Sequence, residues 1–253
     1  MAERVSKLRR LEKFRRSVPH VSAKALNDII AEINRNGLPE LVGRPQLREA
    51  RNLTVNHTTY YGKLLQEVVL PGKDDTIAMA ARTLTVSHPH AILYHCLLTV
   101  EPFWVFFESR LALHPCAPAT PWHLVLYTDE VLPGNVLAPL TLRKSQAIYW
   151  TFLEFGPAAL CREDLWFCIA AKRSTAVPDI EGSMAKVVGS LLKLFCSSDS
   201  SSLHPDDGGV TFIGFDGHSF RFFATFDIFI QDGGAHKLIW SLGRRRREIV
   251  FAL

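Results

Sequence analysis

The sequence predicts an α/β protein with a helical N-terminal region and a mixed β-sheet in its second part. Three observations carry this reading. Apolar residues recur at helical spacing over much of residues 1–115. The segment 114–121 (HPCAPATP) then holds three prolines, and beyond it the hydrophobic pattern becomes extended. The second part offers its elements in the order β-β-β-α-β-α. In that order three consecutive strands form an antiparallel meander, and a helical crossover delivers a further strand parallel to the first. The predicted boundary divides a basic, mainly helical region 1–115 from a mixed-sheet domain 116–253.

Within the first region, residues 4–16 space Val5, Leu8, Leu11 and Phe14 about three apart among basic residues, a narrow apolar stripe on a cationic helix. Pro19 ends it. Ser22 then offers an N-cap to a helix whose Leu26, Ile29, Ile30 and Ile33 form an apolar face, closed by Gly37. A short helical piece is expected over 45–52, connecting structure over 52–62 and 71–75, and a helix from Asp75 to about Val86. Residues 91–113 supply one or two helices around Pro102. The stretch has the length to span a bilayer, but His95, Glu101, Pro102, Glu108 and Arg110 would be costly in hydrocarbon, so a buried helix is expected and no membrane partner.

In the second region, Trp122–Thr128, Gln146–Phe155 and Leu165–Ala171 read as strands and Ser183–Cys196 as an amphipathic helix. Residues 209–215 and 219–230 form a hairpin across Asp216-Gly217, and a final helix is expected from Ala235. The tryptophans at 150 and 166 and the phenylalanines at 220–229 fall at strand period, which makes them core before base-stacking platforms.

Composition narrows the class. With 253 residues, 47% hydrophobic and 21% charged, the chain can bury a substantial core, which excludes disorder throughout. The charged start carries no signal-peptide pattern, so an intracellular location is expected. Five cysteines at 96, 116, 161, 168 and 196 make no CxxC pair and read as reduced, mostly buried thiols. Residues 1–51 hold twelve Lys/Arg against six Asp/Glu, leaving seventeen against nineteen in the remainder. Such a basic arm fits either contact with a polyanion, through Arg9, Arg10, Lys13, Arg15 and Arg16, or a solvated helix without a partner. The run Arg244, Arg245, Arg246 and Arg247 carries the same two readings, with a nuclear address as a third.

Two acids stand out as candidates for chemistry. Asp129 follows the first predicted strand (LVLYTDE) and Asp232 follows the last (FDIFIQDGG). If those strands are parallel neighbours, both carboxylates leave the carboxyl ends of adjacent strands, where α/β sheets place their sites. Oxygen ligands there suit Mg²⁺ or Mn²⁺, which could polarise a phosphoryl oxygen and activate a water. The alternative is that the same acids serve turns or helix caps.

The segments PWHLVLYTDEVLPGN, RKSQAIYWTFLEFGPAAL, EDLWF and IQDGGAHKLIW, with the upstream VPHVSAKALNDIIAEINRNGLPEL, resemble the transposase-like proteins abundant in dinoflagellate algae. That group is similar to the ribonuclease-H-like (DDE) transposases and integrases. The resemblance covers about residues 1–243. It implies a ribonuclease-H-like mixed sheet, a DNA partner, and Asp129 and Asp232 as the first and second metal-binding aspartates of a phosphodiester-cleaving or strand-transfer site. The chain departs from that pattern where a third acid is required on a later helix. Glu248 is the one carboxylate beyond Asp232, among GRRRREIVFAL; Glu130, Glu154 and Asp227 are the other contenders. The expectation is therefore a transposase-derived, C-terminally truncated protein whose catalytic set is degenerate. A non-catalytic nucleic-acid-binding or protein-interaction module is the alternative.

His88, His90, His95, Cys96, His114 and Cys116 are dense enough to raise zinc, but none makes an i,i+4 or CxxC pair, and structural use is expected. Cys161 and Cys168 have no partner pattern for a nucleophile. GxGxxG, GxxxxGK and GxSxG are all missing, so nucleotide-dependent and esterase chemistry have no support.

Overall fold

The computed structural model describes residues 22–37, 44–131, 144–196 and 202–231. The chain divides into two compact units, Met1–Thr54 and Val55–Leu253. In the first, α1 (Ala23–Asn36) forms where the sequence places it. The Ser22 hydroxyl accepts from the Ala25 N–H at 3.1 Å, and Gly37, at φ 78°, turns the chain out while its N–H bonds the Ile33 carbonyl at 2.8 Å. Leu26 is buried on this helix, whereas Ile29 is 45% exposed. Helix α2 (Arg44–Val55) follows.

The second unit opens with two short paired strands, β1 (Thr58–Thr59) and β2 (Gly62–Lys63). Then come β3 (Leu65–Val69), one helical turn α3 (Met79–Arg82), β4 (Thr83–Ser87), α4 (Pro89–Thr99) and α5 (Glu101–Leu113). The later elements are β5 (Trp122–Val131), β6 (Ser145–Phe152), α6 (Pro157–Leu160), β7 (Phe167–Arg173), α7 (Ser183–Cys196), β8 (Val210–Ile213), β9 (Ser219–Phe222) and β10 (Ala224–Gln231). Six strands make one sheet in the order β10-β5-β6-β7-β4-β3. β10 runs parallel to β5, and all the other pairs are antiparallel.

Three expectations are corrected here. The break at 115/116 is not where the chain divides: β4 pairs with β7 and β3 with β4, so residues 65–87 belong to the same sheet as the second half. The predicted helix 75–86 is one turn followed by a strand, because the β-branched Thr83, Thr85 and Val86 favour the extended ladder with β3 and Leu84 and Val86 are buried in it, which a helix would forfeit. The long strand read over 219–230 is two strands that part at Phe223. β9 stays in a separate hairpin with β8, while β10 crosses to the large sheet.

Alternation sets the two faces of the sheet. Trp122, Leu124 and Leu126 on β5 and Ile148, Trp150 and Phe152 on β6 share the main core face, all at most 2% exposed. Helix α5 covers part of it through Phe107, whose ring centre lies 5.1 Å from that of Trp122, and α7 covers more through Phe195, 5.3 Å from Trp150. Helices α4 and α5 meet at a 105° bend between Thr99 and Glu101 and bury His90, Leu93, Leu97, Trp104 and Phe107. Among the described residues no single helix is long and apolar enough to cross a membrane. The second face carries Val125 and Thr151 under residues 157–166, where the Thr151 hydroxyl donates to the Leu165 carbonyl at 2.8 Å. Further along it, Tyr127, Tyr149 and Trp166 cluster, half-buried.

The packing at Gly214 is close enough to be tested. A Cβ added there would lie 2.5 Å from the Trp104 indole, whereas a Cβ at Gly189 in α7 meets nothing within 4 Å. G214A should destabilise the protein by about 1–3 kcal/mol, and G189A should stabilise it by about 0.5–1 kcal/mol. Urea denaturation of both variants checks the opposite signs.

Candidate functional site

Three backbone contacts start the parallel ladder that frames the candidate site. The Trp122 N–H donates to the Phe223 carbonyl at 2.9 Å, the Phe223 N–H reaches the Cys116 sulfur at 3.2 Å, and the Ala224 N–H donates to the Leu203 carbonyl at 2.8 Å. From there β10 pairs with β5, across one register shift between Phe226 and Ile228, until the last described pairs, Ile230 with Tyr127 and Gln231 with Thr128. The expected adjacency and parallel direction of these two strands are therefore present.

Asp129 is exposed, but it does not follow the strand as the sequence suggests. β5 continues to Val131 because β6 supplies partners as far as Ser145, and Asp129 sits inside that ladder opposite Ala147. By alternation Asp129 belongs to the face of Tyr127, beside Tyr149, whose hydroxyl pKa is pushed up by burial and then by the charges of Cys168, Asp129 and Glu163. Asp232, Glu248, Arg9, Arg10, Lys13, Arg15, Arg16, Arg244, Arg245, Arg246 and Arg247 lie outside the described residues.

None of the described contenders for a third acid is placed beside Asp129 as a ligand. Glu130 accepts from Lys144 Nζ at 2.7 Å and from the Ser174 hydroxyl at 3.0 Å. Glu154 and Asp227 instead converge on His123, near the start of β5. His123 precedes Asp129 by six residues, roughly 20 Å along a strand. Among the described residues no three His, Cys, Asp or Glu side chains are grouped to hold a metal ion.

The cluster around His123 escaped the sequence reading. Glu154, its side chain 10% exposed, accepts from the His123 backbone N–H at 3.0 Å and meets His123 Nδ1 at 2.6 Å. His123 Nε2 lies 3.4 Å from Asp227 Oδ2. The two acids are 31 residues after and 104 residues after the histidine, and no spacing rule joins them. The fold does so through the β5–β6 hairpin and the return of β10.

Two histidines of the histidine-rich stretch have structural roles. His88 Nδ1 caps α4 by accepting from the Ala91 N–H at 3.3 Å. His90 is 1% exposed and hydrogen-bonds the Phe195 backbone, and burial, with a smaller effect of His88, lowers its pKa to about 3. The cysteines depart from expectation: all five are free, as read, but Cys161, Cys168 and Cys196 are exposed, on a short turn, an outer strand position and a helix end.

The fold and these clusters define a mixed α/β sheet protein with an acid on the outer face of its second strand in spatial order. Comparison with protein-family models, curated proteins and solved structures returns no match for this chain.

Burial of His90 makes stability depend on pH with a definite sign. The folded state holds the imidazole neutral, while the unfolded chain protonates it below about pH 6.5. Its contribution is present above that pH and lost as pH falls from about 6.5 towards 3. The loss should reach up to roughly 5 kcal/mol at the acid end. Chemical denaturation of wild type and H90F between pH 7 and 4 should show a shallower decline in the variant.

Proposed function

We propose that this chain is a transposase-derived protein with a ribonuclease-H-like core that binds nucleic acid and has lost phosphodiester chemistry. The observation that carries the reading is the parallel pairing of β10 with β5 after a three-strand antiparallel meander and helix α7. That is the strand order the resemblance to DDE transposases implies, extended here by β4 and β3 beyond β7. Gln231, the residue before Asp232 in the chain, pairs with Thr128, the residue before Asp129. In an active relative of that kind, two such aspartates would hold Mg²⁺ or Mn²⁺ against a scissile phosphate. Here Glu130 is engaged by Lys144 and Ser174, and Glu154 and Asp227 serve His123, which supports a degenerate set.

On this reading the basic residues at 9–16 and 244–247 hold phosphates without reading bases, since Lys and Arg charges alone give sequence-indifferent, salt-sensitive binding. Purified protein with Mg²⁺ or Mn²⁺ should neither cleave nor join labelled DNA or RNA. Cleavage that disappears in D129N would return the chain to the active enzymes.

Binding supplies the second test. The logarithm of affinity for duplex DNA of unrelated sequences should fall linearly with the logarithm of salt concentration. Deleting residues 1–16 should make that slope shallower by about 0.9 for each phosphate that the arm no longer neutralises. Affinity indifferent to salt, or unchanged by the deletion, would leave the arm as solvated surface.

A further inference from the structure

His123, Glu154 and Asp227 form an arrangement that the nucleic-acid reading does not use, at the opposite end of β5 from Asp129. Glu154 is largely buried, and one of its carboxylate oxygens is already held by the His123 backbone N–H at 3.0 Å. The other is 2.6 Å from His123 Nδ1, close enough to fix the proton on that nitrogen. Nε2 is then the free end of the ring. It faces Asp227 Oδ2 at 3.4 Å, with the two side chains 43% and 47% exposed.

Two features hold Asp227 there. The ladder between β10 and β5 jumps from Phe226 paired with Leu124 to Ile228 paired with Val125, so Asp227 is the extra residue of a β-bulge. Bulges re-aim a side chain that a regular strand would direct elsewhere. The Thr225 hydroxyl, on the residue paired with His123, donates to Asp227 Oδ2 at 3.2 Å.

A neutral imidazole with its proton on Nδ1 points a lone pair from Nε2 at the Asp227 carboxylate, an arrangement that repels unless a cation lies between them. That cation is either a proton or a metal. Metal–ligand lengths of about 2.0–2.1 Å in tetrahedral geometry separate two ligand atoms by about 3.3–3.4 Å, which is the separation found. A metal-bound histidine ordinarily donates its other ring N–H to a carboxylate, which sets the tautomer and strengthens the ligand. Glu154 occupies that position.

We propose that His123 Nε2 and Asp227 form an open site for a zinc-like divalent cation, with Glu154 as the positioning carboxylate and the remaining coordination positions left to water. Two protein ligands make it an exchangeable site rather than a structural one, and loading it displaces any proton on Nε2. The inference is independent of the nucleic-acid reading, because Asp129 and the basic segments take no part in it.

The test titrates the full-length chain with Zn²⁺ at pH 7.5, following heat by calorimetry and the imidazole resonances by NMR. One saturable event is expected, in which the His123 Nε2 resonance shifts while its Nδ1 keeps its proton. H123A and D227N should abolish that event, E154Q should weaken it 10- to 100-fold, and H95A should leave it unchanged. D227N changes a half-exposed side chain isosterically and carries the test if E154Q unfolds. The proposal is overturned if Zn²⁺ binding does not saturate or survives D227N. It is equally overturned if the responding resonances are those of His57 and His95, whose rings lie 4.9 Å apart, or if binding goes to the cysteine thiolates.

Discussion

The structure depends on one chain transfer, at Phe223. This single residue ends a hairpin and begins a strand of the large sheet, and its backbone is held on both sides. The carbonyl receives the Trp122 N–H and the Cys116 thiol, and the N–H is directed to the Cys116 sulfur. Fixing it sets where β10 starts against β5, and therefore which residues face each other as far as Phe226 and Leu124, beyond which a bulge at Asp227 shifts the ladder by one residue. Strand period makes each register choice strict, because a shift of one residue turns the side chains beyond it to the opposite face, and the bulge absorbs that shift with one extra residue. The start and the bulge together give the pairing of Gln231 with Thr128 and the meeting of Asp227 with His123.

The same transfer joins two aromatic layers. Phe222, the last residue of β9, packs its ring 5.1 Å from Trp122 and 5.1 Å from Phe152, while Phe220 lies 5.7 Å from Trp104. The hairpin is thus anchored in the core of the sheet that the chain joins next. Tilted and edge-to-face contacts of this kind add to the area they bury, and α5 brings Phe107 into the same group, 5.5 Å from Phe222.

Much of this was legible in the sequence because local pattern and final environment agree. Ser22 and Gly37 bracket α1 by capping chemistry that needs no tertiary partner. Helix α7 shows its apolar stripe because one face packs on the sheet, and Met184, Val187, Val188, Leu191 and Phe195 are all buried. β5, β6 and β7 are apolar enough to be read directly. What could not be read depends on distant partners. Thr83–Ser87 is a strand because β7, more than eighty residues away, completes its ladder, and Leu65–Val69 is too short and too exposed on one side to announce itself. The extent of β5 past Asp129 was set by β6 rather than by its own residues. The His123 cluster needed three segments that only the fold brings together, so Glu154 and Asp227 looked like spare acids for Asp129.

The bulge at Asp227 has a further consequence for how the molecule avoids its own kind. Among the described residues β10 and β3 are the outermost strands of the sheet, and an outermost strand presents unpaired N–H and C=O groups that another chain can extend. A regular, apolar margin of eight residues would invite such growth. β10 instead breaks its repeat midway and sets a carboxylate at the break, which twists the margin and charges it. The irregularity that aims Asp227 at His123 thereby also guards the sheet against edge-to-edge aggregation.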